Sequence, residues 1–140
     1  MKKIVHVFDV EVPREKVFAA LTTQQGLASW WTTDVSVENG TAPKIKFHFV
    51  GDFNPYMEVT QLEPDQAVKW KCVAGHDNWL ANTFSFTLKD SGTNTKVIFT
   101  QDYARELSDD DYGSYNFNWG YYLESLRSYC ETGQGKPFRP

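Results

Sequence analysis

The chain has 140 residues, of which 41% are hydrophobic and 16% aromatic, and its formal net charge is -4. This length fits one domain with a substantial core over residues 1–140, and the hydrophobic fraction excludes a disordered chain. Nucleic-acid binding is not expected, because no basic cluster longer than Lys2-Lys3 occurs, and no apolar run is long enough to span a membrane.

The N-terminal part predicts one strand and two short helices. Residues 3–12 alternate, which is typical of a strand with one buried face. Pro13 ends this strand and suits the first position of a helix, and helical spacing follows over residues 15–21. Thr23 can cap a second short helix over residues 24–29.

Two adjacent tryptophans, Trp30 and Trp31, come directly after the second short helix. Neighbouring side chains diverge on a helix and point to opposite faces on a strand, so one core site cannot easily take both rings. We expect one ring to pack in the core and the other to border the opening of a cavity. An indole in that position is a common part of a ligand site.

The middle of the chain alternates with period two, and its apolar runs are separated by turn residues. Strands are predicted over residues 34–38, 44–50, 56–62, 68–74, 79–89 and 95–101. Turn chemistry between alternating runs at this spacing indicates a continuous antiparallel meander.

The C-terminal part changes to a helical period. Aromatic and aliphatic side chains recur at spacings of three and four and predict one long amphipathic helix over residues 115–132. Ser108 and the three aspartates after it have capping character for a preceding helical turn, and Gly133 suits a helix stop. We therefore predict an α+β fold, in which a curved antiparallel sheet of about six or seven strands wraps on the long helix.

Four segments occur in an order that resembles a known family. They are VPREKVFAALTTQQGLASWW, MEVTQLEPDQAVKWKC, SGTNTKVIFTQ and NWGYYLESLRSYCETGQG. They are similar to standalone domains like the C-terminal half of the activator of the ninety-kilodalton heat-shock chaperone's ATPase. That family belongs to the START-like, or polyketide-cyclase-like, superfamily. The resemblance implies a single helix-grip domain with a cavity between the long helix and the sheet. Lipid carriers, hormone receptors, cyclases and chaperone regulators share this scaffold, so the fold alone does not decide the function.

The expected ligand site lies in that cavity. Its apolar candidates are Trp30, Trp31, Phe47, Phe49, Met57, Trp70, Phe84, Phe86, Trp119, Tyr122, Leu123 and Leu126. Its polar candidates are His6, Glu58 and Tyr115. His6 shares the apolar face of the first strand, whereas Glu58 faces either the pocket or solvent, because strand parity places it opposite Met57. Buried tyrosine hydroxyls need partners and could donate to a polar group on a ligand.

Three functions remain open, and the pattern favours binding over catalysis. The first is binding of a small apolar or aromatic molecule without covalent chemistry. The alternative is a protein-interaction module that regulates a chaperone, which requires an exposed patch and not a cavity. A cyclase or hydrolase would need an acid–base pair, and His6 with Glu58 is the only pair that the sequence offers. We expect a monomer or a homodimer.

No catalytic residue, cofactor or metal site is expected. The three histidines do not have metal-ligand spacing, and neither cysteine has a CxxC partner. Cys72 and Cys130 are expected to be buried free thiols in a cytoplasmic protein, with a disulfide as the alternative.

Overall fold

Three helices and seven strands follow one another in the structure, a computed structural model that describes residues 2–140. In chain order they are β1 (Lys3–Val10), α1 (Arg14–Thr22), α2 (Gln24–Trp30), β2 (Val35–Glu38), β3 (Lys44–Phe47), β4 (Tyr56–Glu63), β5 (Ala67–Ala74), β6 (Thr83–Ser91), β7 (Asn94–Asp102) and α3 (Asp109–Thr132). The predicted α+β class and the two short helices after the first strand are confirmed.

The strands form one curved antiparallel sheet in the order β1-β7-β6-β5-β4-β3-β2. Strands β2 to β7 are a meander, as predicted, because each pairs with the next along the chain. β1 instead pairs with β7, so the first strand joins the last one and lies at one edge of the sheet. Helix α3 packs on the inner face of the sheet, together with α1 and α2. This is the helix-grip arrangement that the resemblance implied.

The prediction that a strand begins at Trp79 is wrong. Strand β6 begins at Thr83, because the preceding residues form a tight turn. The backbone N–H groups of Trp79 and Leu80 both donate to the carbonyl oxygen of His76, and Ala81 has a φ of 68°. A left-handed residue at this place cannot continue a strand.

The predicted start of the long helix is also wrong, by about two turns. Helix α3 begins at Asp109, because the Ser108 hydroxyl accepts a hydrogen bond from the Asp111 N–H at 3.1 Å. The aspartates of the first turn stabilise the positive end of the helix dipole. The helix ends at Gly133, as predicted, where a φ of 83° gives the left-handed cap.

All five tryptophans of the chain lie in one cluster in the core, and each is at most 4% exposed. Trp31 lies at its centre and stacks on the other four. Its ring centroid is 5.8 Å from that of Trp30, 6.1 Å from Trp70, 6.3 Å from Trp79 and 5.0 Å from Trp119. The cluster therefore joins the end of α2 to the sheet, to the loop before β6 and to α3.

The chain folds back after α3 and runs beside the segment that follows α2. The Phe138 N–H donates to the Trp31 carbonyl at 2.8 Å, and the Thr33 N–H donates to the Phe138 carbonyl at 2.9 Å. These bonds form a short parallel bridge between Thr32 and Phe138. The C-terminal tail thus brings the Phe138 ring near the tryptophan cluster.

Candidate functional site

An apolar cleft lies between α3, the loop that joins β3 to β4, and the C-terminal tail. Its volume is about 270 Å³. It is lined by Trp31, Phe49, Val50, Phe53, Trp79, Tyr115, Asn118, Trp119, Tyr122 and Phe138. An aromatic lining with few polar groups is typical of sites for small molecules, and the volume is close to the lower end of the usual range of about 300–1,000 Å³.

The deep end of the cleft is formed by three members of the tryptophan cluster, Trp31, Trp79 and Trp119. The rings of Trp79 and Trp119 are nearly parallel, with an interplanar angle of 7° and centroids 6.0 Å apart. All three indoles are buried, whereas Val50 and Asn118 at the mouth are exposed. The cleft therefore connects the packed core with solvent.

Half-buried rings form the two walls. On one side Phe49 contacts Phe138 and Tyr122, with centroids 5.6 and 6.4 Å apart. On the other side Phe53 packs on Tyr115 at 5.8 Å. Both phenylalanines belong to the loop between β3 and β4, so the conformation of this loop sets the width of the cleft.

The lining of the cleft includes two tyrosines and one asparagine besides the indole N–H groups. The Tyr115 hydroxyl accepts a hydrogen bond from Asn78 Nδ2 at 3.0 Å, which leaves its own proton free to donate. Burial raises the pKa of Tyr115, and burial likewise raises the pKa of Tyr122. Both phenols therefore stay neutral around pH 7 and can donate to an acceptor on a ligand, while the Asn118 amide can donate or accept at the mouth.

The structure brings five predicted site residues together in the cleft: Trp31, Phe49, Tyr115, Trp119 and Tyr122. The remaining apolar candidates do not line it and are buried in the core: Trp30, Phe47, Met57, Trp70, Phe84, Phe86, Leu123 and Leu126. Within the adjacent pair, Trp30 is therefore the core ring, and its Nε1 donates to the Ala20 carbonyl at 2.8 Å. Trp31 lines the cleft but is itself only 3% exposed, so both rings of the pair are buried. A role of Trp31 at the opening of a ligand site stays a prediction.

The two polar candidates His6 and Glu58 lie on opposite faces of the sheet. His6 is half-buried under α3, with Nε2 at 2.9 Å from the Asn116 Oδ1, so the Nε2 atom carries a proton and donates it. Glu58 has the opposite parity to the buried Met57 and faces Lys71 of β5 across the ladder. The acid–base pair that a cyclase or hydrolase would need is not assembled.

Five cleft residues were not predicted: Val50, Phe53, Trp79, Asn118 and Phe138. Trp79 was assigned to a strand. Phe53 and Phe138 lie in polar or proline-containing segments, where a large aromatic residue has no strand or helix partner of its own. That isolation is the signal that could have identified them.

Cys72 and Cys130 are both buried and free, as predicted. Burial raises the pKa of both thiols, that of Cys130 to about 12. Within residues 2–140 no cluster of three His, Cys, Asp or Glu side chains could hold a metal ion. In the same part of the chain, no helix combines the length and apolarity needed to cross a bilayer.

Solved structures with this fold include one of substantial sequence identity. The Aha1 dimer from Colwellia psychrerythraea is 34% identical, with a TM-score of 0.86 over 96% of this chain and 100% of that one. Protein MLL2253 from Mesorhizobium loti is 20% identical, with a TM-score of 0.77 over 91% and 95% of the two chains. CalU16 from Micromonospora echinospora is 13% identical, with a TM-score of 0.74 over 96% and 76%. The last two likenesses concern the fold alone.

No curated protein matches the chain in sequence. Residues 11–131 match the family described as Activator of Hsp90 ATPase homolog 1-like protein. This match covers most of the chain, and the similarity to the Colwellia protein agrees with it. The chain therefore belongs to the family of proteins like the Activator of Hsp90 ATPase homolog 1.

Proposed function

We propose that the protein binds a small aromatic or apolar molecule in the cleft between α3 and the β3–β4 loop, without covalent chemistry. The observation that supports this function is the cleft itself, whose lining is almost entirely aromatic and which reaches buried indoles while remaining open to solvent. Large aromatic side chains that are not fully covered by protein are available to stack on a ligand ring.

The dimensions and polar atoms of the cleft restrict the ligand. A volume of about 270 Å³ accommodates a molecule about the size of naphthol, but not a long-chain lipid. The Tyr115 and Tyr122 hydroxyls favour a ligand that carries one acceptor, such as a carbonyl or ether oxygen, on an otherwise apolar body.

Binding can be tested by NMR with 2-naphthol as the probe, because the indole N–H groups of the five tryptophans report separately. We expect the signals of Trp31, Trp79 and Trp119 to shift on titration. Those of Trp30 and Trp70, which do not line the cleft, should move much less. Uniform shifts, or none up to millimolar probe, would count against the cleft as a binding site.

Two alanine variants make the test specific. Phe53→Ala removes one wall of the cleft, and we expect it to weaken 2-naphthol binding about tenfold or more, as for loss of a large buried contact. Phe117→Ala serves as the matched control, because Phe117 lies on α3 outside the cleft and is 77% exposed. Equal affinities for the two variants would contradict the proposed site.

A second candidate function is regulation of a chaperone. It is favoured by the match to the Activator of Hsp90 ATPase family and by the 34% identity to Aha1. Measuring the ATPase rate of an Hsp90 with and without this chain tests it directly. An unchanged rate at saturating chain concentration, together with no co-elution, would remove this candidate and leave the ligand proposal standing.

We further propose a cytoplasmic homodimer. The 34% identical Aha1 protein is a dimer, which supports the same state here. The two free buried thiols are typical of a reducing compartment, which supports the location. Light scattering on the purified chain at increasing concentration tests the dimer.

A further inference from the structure

Strand β1 leaves one edge of the sheet open along its whole length. It has eight residues without proline, and within residues 2–140 it pairs only with β7. Val5 and Val7 on its outer face are 46% and 56% exposed. An edge of this length with exposed valines is the kind of strand that pairs with another chain unless something prevents it.

The opposite edge of the sheet is protected. Strand β2 has only four residues, and the Val37 N–H already donates to the Gln24 Oε1 at 3.1 Å. A short strand with an occupied amide is a poor template for pairing. The two edges of the same sheet therefore differ, and only β1 offers a continuous row of free backbone groups.

The hydrogen-bond pattern shows which groups of β1 are free. The Tyr103 N–H donates to the Lys2 carbonyl at 3.3 Å, which makes residues 2 and 103 a hydrogen-bonded pair at the start of this ladder. Because antiparallel ladders alternate, the backbone groups of the even-numbered residues point to β7. Those of Lys3, Val5, Val7 and Asp9 point to the open edge.

The outer face of β1 is complementary to itself. Its side chains run Lys3, Val5, Val7 and Asp9, that is, basic, apolar, apolar and acidic. When two copies pair antiparallel about His6, Lys3 of each faces Asp9 of the other and Val5 faces Val7. When the register shifts by two residues, a valine faces a charged side chain of the other copy. In one direction Val5 faces Asp9, and in the other Val7 faces Lys3. Opposite charges and β-branched pairs stabilise cross-strand neighbours.

We propose that the dimer interface is formed by antiparallel pairing of β1 with β1 of a second copy, centred on His6. The proposal rests on the homodimer proposed above and is independent of ligand binding. In this register the odd-numbered residues exchange their backbone hydrogen bonds, which satisfies every free group of Lys3, Val5, Val7 and Asp9. The two His6 residues form a non-hydrogen-bonded pair at the two-fold axis.

The same symmetry places both α3 helices on one face of the joined sheet, on either side of the axis. On α3, Asn116 contacts His6 of β1, and the adjacent Phe117 is the most exposed large apolar side chain described in residues 2–140. Phe117 lies on the solvent-facing side of α3 with Asp110, Gly113 and Ser114, so the proposed interface consists of the paired strands.

Cysteine scanning tests the register. Non-hydrogen-bonded residues that face each other lie about 4.5 Å apart at Cα, which is within reach of a disulfide. His6→Cys should therefore give a disulfide-linked dimer on mild oxidation. Phe8→Cys should not, because residue 8 faces residue 4 of the partner. Val5→Cys and Val7→Cys report the two shifted registers, and the native thiols are both buried.

A charged substitution on the outer face tests the surface without a crosslink. Val7→Lys should raise the dimer dissociation constant about ten- to thirtyfold, since the two-fold axis opposes a lysine to Val5 of the partner at two places. Leu62→Lys is the matched control, because Leu62 is 51% exposed on β4, far from this edge, and it should leave the constant unchanged within about threefold.

The outcomes separate the two proposals. A chain that stays monomeric at millimolar concentration overturns the homodimer itself. A dimer that Val7→Lys does not weaken, and that His6→Cys does not crosslink, overturns the β1 interface while the homodimer stands. Crosslinking through Val5→Cys or Val7→Cys alone overturns the register centred on His6.

Discussion

The Trp119 indole donates a hydrogen bond from Nε1 to the Oε1 of Gln101 at 2.8 Å, and both side chains are buried. This bond joins α3 to β7 at the deep end of the cleft. The Nε2 atom of the same Gln101 amide finds no partner in residues 2–140. Only the oxygen of the Gln101 amide is therefore hydrogen-bonded, although the whole side chain is buried.

Gln101→Leu should lower the free energy of unfolding by about 1–2 kcal/mol, because it leaves the Trp119 N–H unpaired in the core. An unsatisfied buried donor usually costs about 1–3 kcal/mol. We expect a value in the lower part of that range, because the substitution also removes the buried Nε2 atom that has no partner. Urea unfolding measures it, with the exposed Gln66→Leu as control. An unchanged stability would mean that the bond contributes nothing to holding α3 on the sheet.

Tyr122→Phe should separate recognition of a ligand's polar group from recognition of its ring. The variant keeps the wall of the cleft and removes one hydroxyl, which corresponds to about 0.5–1.5 kcal/mol of binding free energy. The affinity for 2-naphthol should fall about two- to twelvefold, and the affinity for naphthalene should not change. Calorimetry can compare the two probes. Equal losses for both probes would indicate a change of shape and not a lost hydrogen bond.

Gly135→Ala should displace the C-terminal tail from the cleft. A Cβ atom at residue 135 would lie 2.3 Å from the Ser29 carbonyl oxygen, so the backbone must shift and carry Phe138 with it. We expect a loss of about 1–3 kcal/mol in stability and weaker 2-naphthol binding. Gly133→Ala is the control, because its Cβ meets no atom within 4 Å and only its φ of 83° is unfavourable. It should cost stability but leave binding intact.

The Cys130 thiol should react with Ellman's reagent at pH 8 only after unfolding, because burial raises its pKa to about 12 and the thiolate is the reactive form. A thiol whose pKa is raised by folding stabilises the native state below its unfolded pKa of about 8.5, and that contribution is lost as the pH rises toward 12. Between pH 8.5 and 10 the loss amounts to about 2 kcal/mol. In the Cys130→Ala variant the free energy of unfolding should fall less steeply with pH over this range. If it falls as steeply as in the unmodified chain, other titrating groups cause the pH dependence.

The alternation of apolar residues was sufficient to predict every strand of the sheet, because one buried face imposes period two on each of them. The prediction failed where side chains satisfy the backbone locally. The Asn82 Oδ1 accepts from the Ala104 N–H at 2.8 Å, and its Nδ2 donates to the Asn78 carbonyl at 3.2 Å. These bonds hold the turn before β6 and place Trp79 in the cleft. The periodicity of apolar residues does not predict such side-chain bonds.

The candidate site was predicted in part for a related reason. Residues on α3 such as Trp119 and Tyr122 follow from helical spacing, which places them toward the sheet. The same spacing places Leu123 and Leu126 there too, and they fill the core instead. Which inward side chains meet a cleft depends on where the β3–β4 loop and the tail lie. Both segments are irregular, so the contributions of Phe53 and Phe138 required the structure.

The pairing of β1 with β7 has a consequence for how the chain is made. Lys3 pairs with Asp102 and Val10 with Thr95, so the first strand has no partner in the sheet until the last one has been synthesised. At about 5–20 residues per second, β1 waits several seconds on the ribosome. Long-range pairing of this kind also slows folding after release. Throughout that interval both edges of β1 are open, and a neighbouring nascent copy could reach it before β7 does.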